Sequence, residues 1–152
     1  MTDTILVPID GSPLSTRALE YAFEAHDEPT VVAIHVLDPF DPGYSSATDV
    51  DVRNEPRHGS EDWYERAQEE EERLFEQARE TAAAYDGELV TESVDGEPAR
   101  QIVEYAEEHD VDHIVMGSHG RTGETRLLLG SVAELVVMRS PVTVTIVRAD
   151  DA

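Results

Sequence analysis

Five short apolar runs separated by stretches of helical period constrain this chain more tightly than any other feature of it. The runs are Thr4 to Ile9, Thr30 to Leu37, Glu88 to Val94, Asp112 to Met116 and Pro141 to Val147. A run that is apolar at nearly every position, as in Thr4 to Ile9 and Thr30 to Leu37, suits a strand buried on both faces, and Glu88 to Val94 reads as a weaker strand. Between the first two, Asp10-Gly11-Ser12-Pro13 reads as a turn into a helix, with Ser12 as N-cap and Pro13 at the first helical position. Leu14, Ala18, Ala22 and Ala25 mark the expected inner stripe of that helix. A long acidic helix from about Ser60 to Tyr85 sets Trp63, Ala67, Leu74, Ala78, Ala82 and Tyr85 on one face, and its run Glu69 to Glu72 reads as a solvated face. After the turn Gly96-Glu97-Pro98, the stripe Ala99, Ile102, Val103 and Ala106 ends near His109, and Ser131 to Arg139 reads as the last helix. Strands this far apart are not hairpins, so the alternation predicts an open parallel sheet covered by helices. With 152 residues and no internal repeat, one domain over residues 1–152 is expected. The connection from Asp38 to Gly59, rich in Pro, Gly, Ser and Asp, reads as a lid or a disordered segment.

The charge is extreme. The chain carries 34 acidic residues against 11 basic ones, a net charge of -23, and every basic residue is arginine. Such a surface repels itself unless salt screens it, over roughly 3 Å at 1 M. The composition therefore reads as adaptation to a very salty cytoplasm, or else as an acidic face for a basic partner. It argues against DNA or RNA as partner, because phosphate binding needs clustered cations. There are no cysteines, which removes disulfides and thiolate metal sites. No signal-peptide pattern opens the chain and no apolar run reaches the roughly 20 residues of a membrane helix, so no membrane partner is expected.

The fourth strand ends in Met116-Gly117-Ser118-His119-Gly120, and Gly130-Ser131 opens the next helix, where Ser131-Val132-Ala133-Glu134 reads as a capping box. Glycines let backbone N–H groups approach an anion, and they reach backbone conformations closed to other residues, a property expected to matter at Gly130. The free N–H groups and dipole of a helix start favour phosphate. Within this loop Arg121 and Arg126 outnumber Glu124, a local inversion in so acidic a chain. The loop lacks the GxxxxGK[ST] of a P-loop, and it does not follow the first strand as a dinucleotide fingerprint would.

These residues resemble the universal stress protein family along nearly the whole chain. Gly117, Gly120, Gly130 and Ser131 match the G-x2-G-x9-G-[ST] of its nucleotide-binding members. The opening Ile5-Leu6-Val7-Pro8-Ile9-Asp10-Gly11-Ser12, the pair His35-Val36 and the hexapeptide Met116-Gly117-Ser118-His119-Gly120-Arg121 are also similar to the family's. The resemblance implies an α/β fold, a single doubly wound five-stranded parallel sheet of order 3-2-1-4-5 with helices on both faces, of the adenine nucleotide alpha-hydrolase-like kind. It implies ATP as ligand, with Asp10 near the ribose, the Val36 backbone near the adenine, and Gly120, Gly130, Ser131 and the Val132 amide around the phosphates. Met116, Gly117, His119 and Arg121 belong to the same binding motif. It further implies Mg2+ bridging the phosphates and a homodimer formed through Val142 to Val147.

Other residues carry weaker signals. Asp10 also suits a plain turn aspartate, and a phosphoacceptor role lacks the acidic pair and lysine it would need. His26, His58, His109 and His113 read as surface or strand-edge residues, and His35 as packing. Phe40, Tyr44, Trp63 and Tyr64 flank the long connection and read as packing at the sheet edge, or else as closing over an adenine. With neither a positioned base nor an activating metal ligand in sight, at most slow ATP hydrolysis is expected. Three functions stay open at this level: a nucleotide-dependent stress or signalling module, a slow ATPase or nucleotidyl-transfer enzyme, and an interaction dimer with a vestigial loop.

Overall fold

The computed structural model describes residues 2–38, 61–118 and 129–148. Its elements run β1 (Thr4–Pro8), α1 (Pro13–Ala25), β2 (Thr30–Leu37), α2 (Glu61–Ala82), β3 (Glu88–Asp95), α3 (Pro98–Glu108), β4 (His113–Gly117), α4 (Ser131–Arg139) and β5 (Thr143–Val147). The five strands form one sheet in the order β3-β2-β1-β4-β5, and every pairing is parallel. The alternation of apolar runs and helical stripes predicts the parallel sheet covered by helices, and the doubly wound strand order is the one the family resemblance implies.

Two apolar layers hold the sheet. Ile5, Val7, Val31 and Ala33 meet Ala18, Leu19, Ala22 and Phe23 of α1 and Leu74, Phe75 and Ala78 of α2. On the other face Leu6, Val32, Ile34 and Val36 meet Ala99, Ile102 and Ala106 of α3 and Ala133 and Val136 of α4. The central strands are thus apolar at successive positions because both faces are covered, and each fully buried aliphatic side chain contributes about 1.5–3 kcal/mol.

Several local expectations shift. The inner face of α1 is Ser15, Ala18, Leu19, Ala22 and Phe23, whereas Leu14 is half-buried and Ala25 exposed. The N-cap is the expected one, with Ser15 N–H donating to Ser12 Oγ at 3.2 Å. The last strand starts at Thr143 rather than Pro141, since the Ser140 hydroxyl accepts from Val142 N–H at 3.0 Å and donates to Val142 O at 2.7 Å, folding that stretch into a tight turn. Asp112 lies just before β4 and clamps the start of β1 twice: its carboxylate accepts from Thr4 N–H at 2.8 Å and its N–H donates to Thr4 O at 2.9 Å.

Candidate functional site

Strand order reverses between β1 and β4, which makes their carboxyl ends the natural crevice of such a sheet. The ladder itself opens there. β1 pairs with β2 over five positions, from Thr4–Thr30 to Pro8–Ile34, but with β4 only at Ile5–His113 and Leu6–Ile114. In a parallel ladder successive N–H groups point to opposite sides. Ile9 N–H points to β2, where it donates to Ile34 O at 2.9 Å, so the group that would point to β4 belongs to Pro8. Proline has no N–H to give.

Above the crevice on the β1 side sits Asp10, only 6% exposed. Its Oδ1 accepts from Ser12 N–H at 2.9 Å, across Gly11 at φ +85°, a left-handed conformation suited to glycine. The turn is further tied by the Ser15 hydroxyl, which donates to Ser12 O at 2.9 Å. Asp10 is therefore a turn residue in fact, with Oδ2 as its remaining carboxylate oxygen.

The β4 side is built from Gly117 and Ser118. Ser118 N–H donates to Val147 O at 2.8 Å, and Ser118 O accepts from Gly130 N–H at 2.7 Å. That last bond closes the two ends of the glycine loop and brings the start of α4 against the carboxyl end of β4. Gly130 itself is the N-cap, and Ser131 is the first helical residue. The expected capping box is thus absent: Ser131 lies inside the helix, and Glu134 N–H bonds to Gly130 O at 2.9 Å as an ordinary helical bond. A glycine cap has no side chain to offer, so the N–H groups of Ser131 and Val132 have no acceptor within the helix. Gly130 stands at φ −64°, ψ 161°, open to any residue, so a role for its being glycine rests on space and not on conformation.

The remaining candidates divide cleanly. Val36 is fully buried at the end of β2, Met116 is buried in β4, Ser131 is exposed and Val132 half-buried. His119, Gly120, Arg121 and most of the 38–59 connection, with Phe40, Tyr44 and His58, lie outside the described residues. Among the described residues no group of three or more His, Asp or Glu is placed to hold a metal, and no helix is long and apolar enough to cross a membrane. A groove of about 390 Å³ lies between α1 and α2, floored by Ile9, Leu19, Leu74 and Ala78. Its lining includes Ile9 and Gly11, on either side of Asp10, and among the described residues none from β4 or α4.

Residues 1–148 match the model of the universal stress protein family. The chain belongs to that family. It is 36% identical over 149 residues to universal stress protein MJ0531 of Methanocaldococcus jannaschii, covering 95% of this chain and 81% of that one. It is 34% identical over 150 residues to universal stress protein YxiE of Bacillus subtilis, covering 97% and 100%. Among solved structures, protein MJ0577 superposes with a TM-score of 0.81 at 27% identity, over 100% of this chain and 99% of that one. Universal stress proteins solved with cAMP, dAMP or AMP superpose with TM-scores of 0.57 to 0.66 at 15 to 24% identity, a likeness that carries the fold.

This universal stress protein also holds a feature that the charge pattern conceals. Glu71, placed by its sequence in the solvated run Glu69 to Glu72, is only 6% exposed, and its Oε2 lies 2.6 Å from Nδ1 of the fully buried His35. A carboxylate only accepts, so Nδ1 carries the hydrogen and donates. Nε2 of His35 is buried with no hydrogen-bond partner among the described residues, a deficit of about 1–3 kcal/mol. The signal was present in the spacing: Glu71 falls four residues after Ala67 and three before Leu74, on the apolar stripe itself. Its neighbours Glu69 and Glu72 are exposed, as their positions off the stripe require.

At the opposite end of the sheet, His113 Nε2 lies 2.6 Å from Thr145 Oγ1, and its ring meets that of His26 edge-on with centroids 5.4 Å apart. Burial pushes the His113 pKa below its usual 6.5, the nearby His26 adds to the fall, and Asp3 opposes it. His113 is thus a half-buried strand-end residue, remote from the crevice.

Proposed function

We propose that this universal stress protein binds ATP in the crevice between the ends of β1 and β4 and acts as a nucleotide-dependent homodimeric switch in stress response or signalling. The observation that carries the reading is the 2.7 Å bond from Gly130 N–H to Ser118 O. It holds the start of α4, whose Ser131 and Val132 amides have no acceptor within the helix, against the end of β4, an arrangement that supports phosphate binding at these donors and at the positive end of the α4 dipole. Asp10 Oδ2 then accepts from ribose hydroxyls, the Val36 backbone borders the adenine, and Met116, Gly117, His119, Gly120 and Arg121 complete the loop around the phosphates. The adenine nucleotides bound by structural relatives support the same ligand class. Mg2+ bound with the nucleotide would neutralise part of the phosphate charge.

The other parts of the proposal rest on charge and topology. Among the described residues β5 pairs with β4 alone, so its outer edge suits pairing with a second copy through Val142 to Val147. The charge of -23 fits a salt-rich cytoplasm. The test is mass spectrometry of nucleotide released from purified protein, with calorimetric titration of ATP and magnesium and light scattering in several-molar salt. Adenine nucleotide near one per chain and a dimer are expected. Protein that neither retains nor takes up ATP overturns the binding reading, and a monodisperse monomer overturns the dimer.

A further inference from the structure

We propose that the buried His35–Glu71 hydrogen bond positions the base-binding edge of β2, an inference that rests on the nucleotide reading above. Three consecutive residues of β2 carry it. His35 is bonded to α2, Val36 is the residue whose backbone borders the adenine, and Leu37 packs under Trp63 and Ala67 of the same helix. Glu71 lies on the face that carries Ala67 and Trp63, about one and two turns further along, or roughly 6 and 12 Å up the axis. A single bond at 2.6 Å therefore ties the height and rotation of α2 to the strand end that the base must meet.

Stability alone does not call for this pair. A buried polar pair is often replaceable by apolar residues of similar volume with little loss of stability. All around it the stripe is apolar, with Ala67, Leu74, Phe75 and Ala78 buried on the same helix. Packing of that kind tolerates small sliding and rotation, whereas a hydrogen bond has a direction and a length. The imidazole keeps Nε2 unpartnered in the interior, so this arrangement gives up a bond and gains orientation. The orientation is passed to Trp63, which is 5% exposed and meets Tyr64 edge-on with centroids 5.0 Å apart, directly beyond Leu37. Neither His35 nor Glu71 touches the ligand in this scheme. They are positioning residues, and the phosphate end of the crevice, built on Ser118 and Gly130, is independent of them.

The test compares wild type with Glu71→Gln, Glu71→Leu and the double variant His35→Leu/Glu71→Leu in high salt, using ATP and inorganic tripolyphosphate as probes. Trp63, the chain's single tryptophan, reports the packing over Leu37 through its emission. Glu71→Leu is expected to weaken ATP by about tenfold, the size of one coupling between contacting residues, with tripolyphosphate affinity unchanged and Trp63 emission shifted to the red. Glu71→Gln keeps an acceptor for Nδ1–H and is expected to restore both ATP affinity and emission. Should Glu71→Leu fail to fold, the all-apolar double variant takes its place with the same expected loss of ATP alone. Wild-type ATP affinity in a folded Glu71→Leu or double variant overturns the inference, as does equal loss of both probes. Wild type that binds neither probe overturns the nucleotide reading instead, and unshifted Trp63 emission in the variants then overturns the positioning role as well.

Discussion

Substitution of Asp10 separates stability from binding, because its two carboxylate oxygens do different work. Oδ1 holds Ser12 N–H at 2.9 Å, and Ser12 is only 2% exposed, so removing the acceptor strands a buried donor. That costs about 1–3 kcal/mol, which in a chain of this size lowers Tm by about 2–4 °C per kcal/mol. Asp10→Ala should therefore melt several degrees below wild type. Asp10→Asn keeps one oxygen, and the turn claims it, so its Tm should lie close to wild type. The amide then presents NH2 where Oδ2 stood, and the charge is gone. Loss of a hydrogen bond to a charged group is worth about 1.5–3 kcal/mol, or about ten- to a hundredfold in Kd, and donation from the new NH2 to a ribose oxygen holds the Asn variant near tenfold. Differential scanning calorimetry and ATP titration, both at one fixed high salt concentration, measure the two effects separately. An Asn variant as unstable as Ala would refute the division of oxygens. Undiminished ATP affinity in both variants would remove Asp10 from the ligand.

Gly130→Val should fold, since φ −64° is open to valine, with about 1 kcal/mol lost at the N-cap, yet bind ATP at least tenfold more weakly by filling the space above the Ser131 and Val132 amides; unchanged affinity in a titration would show the loop end to be only a turn. Lowering salt from molar to about 0.01 M lengthens screening from about 3 Å to about 30 Å, and far-ultraviolet circular dichroism should record loss of structure; a salt-independent Tm would contradict this. His113 resists protonation when folded, so the unfolded chain takes up its proton first as pH falls through 6.5. Its contribution to stability is complete above that pH and is lost below it. Because protonating carboxylates also relieves repulsion in so acidic a chain, the readout is the Tm of wild type minus that of His113→Gln, which should fall between neutral pH and pH of about 5; a flat difference would show that His113 titrates alike in both states.

What the sequence alone determined here is what repeats along it. Nearly continuous apolar runs marked β1, β2 and β4 because both faces of those strands are covered; alternation with helices pointed to a parallel sheet, and the strand order came with the family resemblance. Ser12 as N-cap and the start of α4 after Gly130 were readable because caps and glycines act over two or three residues. What only the tertiary structure decided are pairings with no period. The parting of β1 from β4 turns on which way one missing proline N–H would have pointed. Asp10 proved to spend one oxygen on its own turn, and Gly130 took the cap that Ser131 was expected to fill. His35 and Glu71 lie 36 residues apart, and charge patterning assigned the glutamate to solvent. The spacing from Ala67 and Leu74 puts Glu71 on the buried stripe, but only the opposing imidazole, brought there by the fold, gives that carboxylate a partner in the interior.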